Sequence, residues 1–148
     1  MKWLELLNGD PLPWLLEPDP LNPSVRYLTL RDIIKKPQDD PGVIQSKKDV
    51  MSTGAVPAIL EAQHSDGYWV EAGPGYYPKY RGTVWQILFL AQFGADGSHP
   101  KIHRACDYVL ANNRSKHGGF SINALPSGMI HCLAGNLGAA LIDLGKYG

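Results

Sequence analysis

Apolar positions along this chain recur at helical spacing, with almost no stretch of strict alternation, and the pattern predicts an all-α protein. "WLELL" (Trp3–Leu7) and "LPWLL" (Leu12–Leu16) are short apolar turns set off by proline. "NPSVRYLTLRDIIKK" opens on Asn-Pro-Ser and places Tyr27, Leu30, Ile33 and Ile34 on one helical face. After the corner "PQDDPG", a mostly polar helix is expected in "VIQSKKDVMST" and a short apolar one in "VPAILEAQ". "TVWQILFLAQFG" (Thr83–Gly94) is apolar on nearly every face and closes on Gly94. "SHPKIHRACDYVLANN" instead carries one stripe, Ile102, Ala105, Cys106, Val109 and Leu110, with Lys101, His103, Arg104 and Asp107 facing away. A last, mostly apolar helix is expected from about Ser127 to Leu144.

The two kinds of helix alternate. A helix apolar all round must be covered on all sides, and a striped helix covers something on one side only. The first kind reads as inner and the second as outer, so the expected architecture is a set of stacked αα-hairpins. An internal period agrees: Gly67 and Gly118 are 51 residues apart, and so are Gly94 and Gly145. With a one-residue slip, "ILEAQ" (Ile59–Gln63) lies over "VLANN" (Val109–Asn113). Fixed spacing over several landmarks is how a repeat architecture shows itself in sequence.

"QHSDGYW" (Gln63–Trp69) has the form Q-x-x-x-G-x-W and resembles the QW motif of the squalene/hopene cyclases, which belong with the protein prenyltransferase β-subunits and other α/α-toroid proteins. "NRSKHGGF" looks like a decayed copy, with Asn113 in the glutamine slot and Phe120 in the tryptophan slot. The resemblance spans about Val56 to Gly145 and implies a partial α/α toroid over residues 55–148, preceded by a helical lead-in over residues 1–54. Gln63, Gly67 and Trp69 then form a structural staple between repeats. Gly67 allows a turn that a Cβ would hinder, and the Gln63 amide can reach a neighbouring helix end while lying on the Trp69 face. The resemblance also implies a terpenoid cyclase- or prenyltransferase-like protein that binds an isoprenoid or other apolar ligand.

Composition narrows the classes. Fourteen basic and 14 acidic residues give zero formal charge, so nucleic acid is not an expected partner. No apolar run is long enough to span a bilayer, and Glu5 interrupts the only apolar N-terminal run, so neither a transmembrane segment nor a signal peptide is read. Cys106 and Cys132 are expected to be reduced thiols in a cytoplasmic protein.

The catalytic motifs of the resembling families are absent. There is no D-x-D-D acid; the one adjacent acidic pair, Asp39-Asp40, reads as a helix-capping turn. His117, His131 and Cys132 lack recognised zinc spacing, there is no C-x-x-C, G-C-G-E-Q, G-x-S-x-G or P-loop, and no metal or cofactor is expected. The catalytic residues stay unknown. What remains is the aromatic loop "GYYPKYRGTVW", in which Tyr76, Tyr77, Tyr80, Arg81 and Trp85 precede an inner helix. Tyr77, Tyr80, Trp85 and His131 are the candidate ligand contacts, and Arg81 suits an anionic end group such as a diphosphate.

The C-terminal helix and the N-terminal third raise two further expectations. The last helix carries Leu133, Leu137, Leu141 and Leu144 in one row, and no striped outer helix succeeds it. The chain therefore reads as the N-terminal part of a longer protein, or as one that self-associates through this helix. "DPLNPSVRYLTLRDII" is similar to a HEAT-repeat helix, and the alternative it implies is a non-catalytic protein-binding or scaffold solenoid.

Overall fold

The computed structural model describes residues 5–145. Trp3 and Leu4 of the first apolar turn lie outside them. Among the described residues the chain is all-α, with no strand. It divides into two compact units, Met1–Ala55 and Val56–Gly148.

In the first unit, α1 (Leu12–Leu15) is a single turn that buries no residue. α2 (Pro23–Leu28) starts on proline, which is preorganised for a first turn. It does not continue as a regular α-helix: Thr29–Ile33 is a π-helical turn. Thr29 Oγ1 donates back to the Val25 carbonyl at 2.7 Å, and the Ile34 N–H reaches the Thr29 carbonyl at 2.9 Å. The wider turn shifts the register of the residues after it. Tyr27 and Leu30 are buried as expected, but Ile33 is rotated out to the surface.

α3 (Pro41–Ser52) packs on α2 and buries Val43, Ser46 and Val50. Asp40 caps it, its Oδ1 accepting the Gly42 N–H at 2.8 Å, while Lys36 Nζ stands 3.2 Å from Oδ2. The Lys36 contact first, then the Gly42 bond, holds the Asp40 carboxyl below the usual carboxylate range. Asp39-Asp40 is thus a capping turn, as expected.

The second unit contains α4 (Ala55–Glu61) from its second residue onward, α5 (Thr83–Gln92), α6 (Pro100–Asn112) and α7 (His131–Asp143). α5 is covered almost everywhere, with Val84, Ile87 and Leu90 wholly inaccessible, as an all-apolar helix requires. It packs against both α6 and α7. α6 buries Ile102, Ala105, Cys106 and Val109, with Leu110 at the edge of the stripe.

α7 starts later than the apolar pattern suggests. Pro126–Gly128 forms a separate 3₁₀ turn, pinned where the Ile122 N–H donates to the Gly128 carbonyl at 3.0 Å. The row Leu133, Leu137, Leu141 and Leu144 is buried. The face of α7 that is exposed among the described residues is a different one, through Gly135, Ala139 and Ile142.

The 51-residue period is written in the backbone. α4 and α6 end at Glu61 and Asn112, and α5 and α7 at Gln92 and Asp143, each pair 51 residues apart. Gly67 and Gly118 have φ +101° and +95°, and Gly94 and Gly145 have +73° and +74°. The hydrogen bonds repeat as well. His64 N–H donates to Tyr68 O as Ser115 N–H does to Gly119 O; Gly67 to His64 as Gly118 to Ser115; Gly94 to Ala91 as Gly145 to Ile142. Such turns and caps need the positive φ that glycine adopts without steric cost.

Candidate functional site: a helix latch and an aromatic loop

The first turn hangs between α4, which precedes it, and α6, which lies 38 to 41 residues further along the chain. Trp69 is 3% exposed, and its indole N–H donates to the Ile59 carbonyl of α4 at 2.8 Å. Its backbone N–H donates to Thr83 Oγ1, at the start of α5, at 3.1 Å. Gln63 Nε2 donates to the Lys101 carbonyl in the first turn of α6 at 3.0 Å, and more weakly to Gly67 O at 3.4 Å. Gly67 lies so near α6 that a Cβ would stand 2.8 Å from the Arg104 carbonyl oxygen. Three residues therefore tie α4, α5 and α6 together.

α6 answers with side chains the sequence pattern had assigned to solvent. Lys101 Nζ donates to the Leu60 carbonyl at the C-terminal end of α4 at 2.7 Å, where the helix leaves carbonyls without intrahelical partners. Arg104 donates to Ser65 O at 3.0 Å, and the Gly73 N–H donates to the Tyr108 hydroxyl at 2.7 Å. Tyr68 lies between His64 and Tyr108, with ring centroids at 4.3 and 5.3 Å. Lys101, Arg104 and Tyr108 share one face at i, i+3 and i+7. Lys101 and Arg104 thus clamp the turn and do not simply face water. The spacing was a readable signal; its destination was not.

The second turn has the same backbone but not the same cover. Asn113 is wholly buried and donates to the Pro74 carbonyl. Phe120, in the tryptophan slot, is only half-buried. A Cβ on Gly118 would meet nothing within 4 Å. Gln63 Oε1 and Asn113 Oδ1, the carbonyl oxygens of the two glutamine-slot amides, are buried and have no hydrogen-bond partner among the described residues.

The aromatic loop leads into α5. Gly75 and Gly82 let its two ends meet: a Cβ on Gly82 would stand 2.5 Å from the Gly75 carbonyl oxygen. The Trp85 indole N–H donates to Tyr76 O at 2.8 Å. Its ring lies 5.4 Å from that of Tyr76 and 4.8 Å from that of Tyr80, while Tyr76 meets Tyr77 edge-on at 5.1 Å. Tyr77 and Tyr80 are 60% and 58% exposed. Tyr80 holds a left-handed backbone, φ +66°, uncommon for a bulky residue. Lys79 Nζ, which the sequence did not single out, stands 5.2 Å from the Tyr80 centroid and 5.9 Å from that of Trp85, within cation–π range.

The structure therefore gathers Tyr77, Tyr80 and Trp85, and Arg81 comes next, exposed, on the same loop. His131 is not part of this ring cluster. It opens α7, exposed, 51 residues after Tyr80 and so at the matching position of the next repeat. Cys132 beside it is exposed and Cys106 is buried. Among the described residues no cluster of three His, Cys, Asp or Glu side chains could hold a metal ion. No helix of the described residues is long and apolar enough to cross a membrane.

No protein-family model, curated protein or solved structure matches the chain. Its function has to be argued from its own geometry.

Proposed function

We propose that Val56–Gly145 forms two units of an α/α-toroid-type repeat, built in the manner of the squalene/hopene cyclases and prenyltransferase β-subunits, and that the chain works by binding. The observation that carries this reading is the recurrence, 51 residues on, of the same turn, the same helix cap and the same hydrogen bonds. Repeats of this kind bury their faces against neighbours and offer the loops of one end to a ligand. Here that end holds Tyr76, Tyr77, Tyr80 and Trp85, with His131 at the corresponding place of the second unit. An isoprenoid chain, or another apolar ligand, would lie across the exposed Tyr77 and Tyr80 faces, with Arg81 available to an anionic end group.

The test is a fluorescence titration with farnesol and with farnesyl diphosphate. Saturable quenching is expected in the native chain and in Trp14→Phe. It is expected to be lost in Trp85→Phe and weakened in Tyr80→Ala. An Arg81→Gln chain is expected to lose any preference for the diphosphate. Absence of a saturable signal with either probe would remove the apolar-ligand reading.

A second reading, a non-catalytic helical-repeat protein-binding or scaffold module, is supported by the face of α7 that is exposed among the described residues, through Gly135, Ala139 and Ile142. Self-association through α7 is one way to cover that face.

A further inference from the structure

We propose that Tyr80 and Trp85 form a seat for a small quaternary ammonium compound of the choline type, a seat that the chain's own Lys79 holds until the ligand displaces it. This goes beyond the apolar-ligand reading: it concerns the charge on the ligand and one pair of rings, and it needs no toroid. A cation already in place carries the inference. Lys79 Nζ lies 5.2 Å from the Tyr80 centroid and 5.9 Å from that of Trp85, so one ammonium is within attraction of two rings. Residues 72–95 contain no Asp or Glu, and among the described residues Lys79 has no ion-pair partner. The rings, and no carboxylate, receive the charge here.

Both rings are fixed by the chain itself. The Trp85 indole N–H is tied to Tyr76 O at 2.8 Å, and the Trp85 plane is tilted 58° from that of Tyr80 at a centroid separation of 4.8 Å. Tyr80 is tied in turn by Gln86 Nε2, which donates to its carbonyl at 3.1 Å. The same bonds select the kind of cation. The Tyr76 carbonyl accepts from Trp85, that of Tyr80 from Gln86, that of Pro78 from the Arg81 and Gly82 N–H groups, and that of Gly75 from the Val84 N–H. A primary ammonium is strongly hydrated and has three N–H donors to satisfy, whereas these loop carbonyls already hold a donor. A quaternary ammonium has no N–H and meets ring faces with its methyl groups. It therefore competes well against Lys79, an exposed side chain whose ammonium returns to water.

The test titrates the isotope-labelled full chain with choline, with ethanolamine and with the neutral alcohol in which carbon replaces the choline nitrogen, at constant ionic strength. The Trp85 indole N–H resonance is the readout. Choline is expected to move it saturably and to bind about ten-fold more tightly than either of the other two. Lys79→Gln, which removes the resident cation, is expected to tighten choline binding about three-fold. Tyr80→Phe keeps the ring and is expected to keep binding, while Tyr80→Leu loses it. Equal affinities for choline and the neutral alcohol would overturn the proposal. So would the absence of a saturable shift with choline, or weaker choline binding in Lys79→Gln. Failure of the apolar-ligand reading is separate: it shows as no saturable response to farnesol in a chain that still takes choline.

Discussion

Gly67 and Gly118 are a matched pair in which only one variable differs. Both hold a positive φ that an L-residue resists by roughly 1–2 kcal/mol. At Gly118 that cost stands alone, so Gly118→Ala is expected to lower unfolding stability by about that amount. At Gly67 a Cβ also meets the Arg104 carbonyl oxygen, so Gly67→Ala is expected to cost clearly more, with α6 displaced. Urea unfolding of the two variants side by side measures the difference. Trp69→Phe keeps most of the buried ring but leaves the Ile59 carbonyl without its indole donor; a loss of about 1–3 kcal/mol is expected in the same assay. Gln63, Gly67 and Trp69 were legible in the sequence because a local motif states its own turn. Thr83, Lys101, Arg104 and Tyr108 were not, because each meets the turn across 14 to 41 residues of chain. Nothing local distinguishes a solvated Lys on a striped helix from one reaching a helix end.

At the scale of elements, helix type and order came from apolar periodicity, while two boundaries did not. The π-helical turn after α2 depends on a side-chain bond from Thr29, which changes which residues face inward without changing the pattern. The late start of α7 depends on a backbone bond between Ile122 and Gly128.

The helix starts of the first unit also set an acid response. Asp19 is held below the usual carboxylate range by Asn22 and the Leu21 N–H, Asp32 by Arg31, and Asp40 by Lys36 and the Gly42 N–H. A depressed folded pKa contributes stability above the unfolded value, near 3.8, and that contribution is lost as pH falls through the folded value. Residues of α2 and α3 are therefore expected to lose hydrogen-exchange protection, corrected for intrinsic rates, below pH about 4. Asp40→Asn, which keeps a capping oxygen but removes the charge, is expected to flatten that dependence.

For the whole molecule, the two thiols give a direct reading of the second unit. Cys132 is exposed at the start of α7 and Cys106 is buried in α6. In the native chain a thiol reagent is expected to modify Cys132 rapidly and Cys106 only when the unit opens, so that Cys106 labelling rises with Gly67→Ala. Equal rates in the folded chain would contradict the packing of α6.

The sequence by itself determined that the chain is helical, which helix is apolar on every side, and that a glycine-centred turn returns after 51 residues. These properties reside in neighbours a few positions apart, where periodicity and φ preference act. Only the tertiary structure decided that α6 clamps the first turn, that the aromatic loop gathers Tyr76, Tyr80 and Trp85, and that Asn113 of the second turn is buried against the Pro74 carbonyl. Those outcomes depend on which distant surfaces meet, and a one-dimensional pattern records the shape of each face but not its partner.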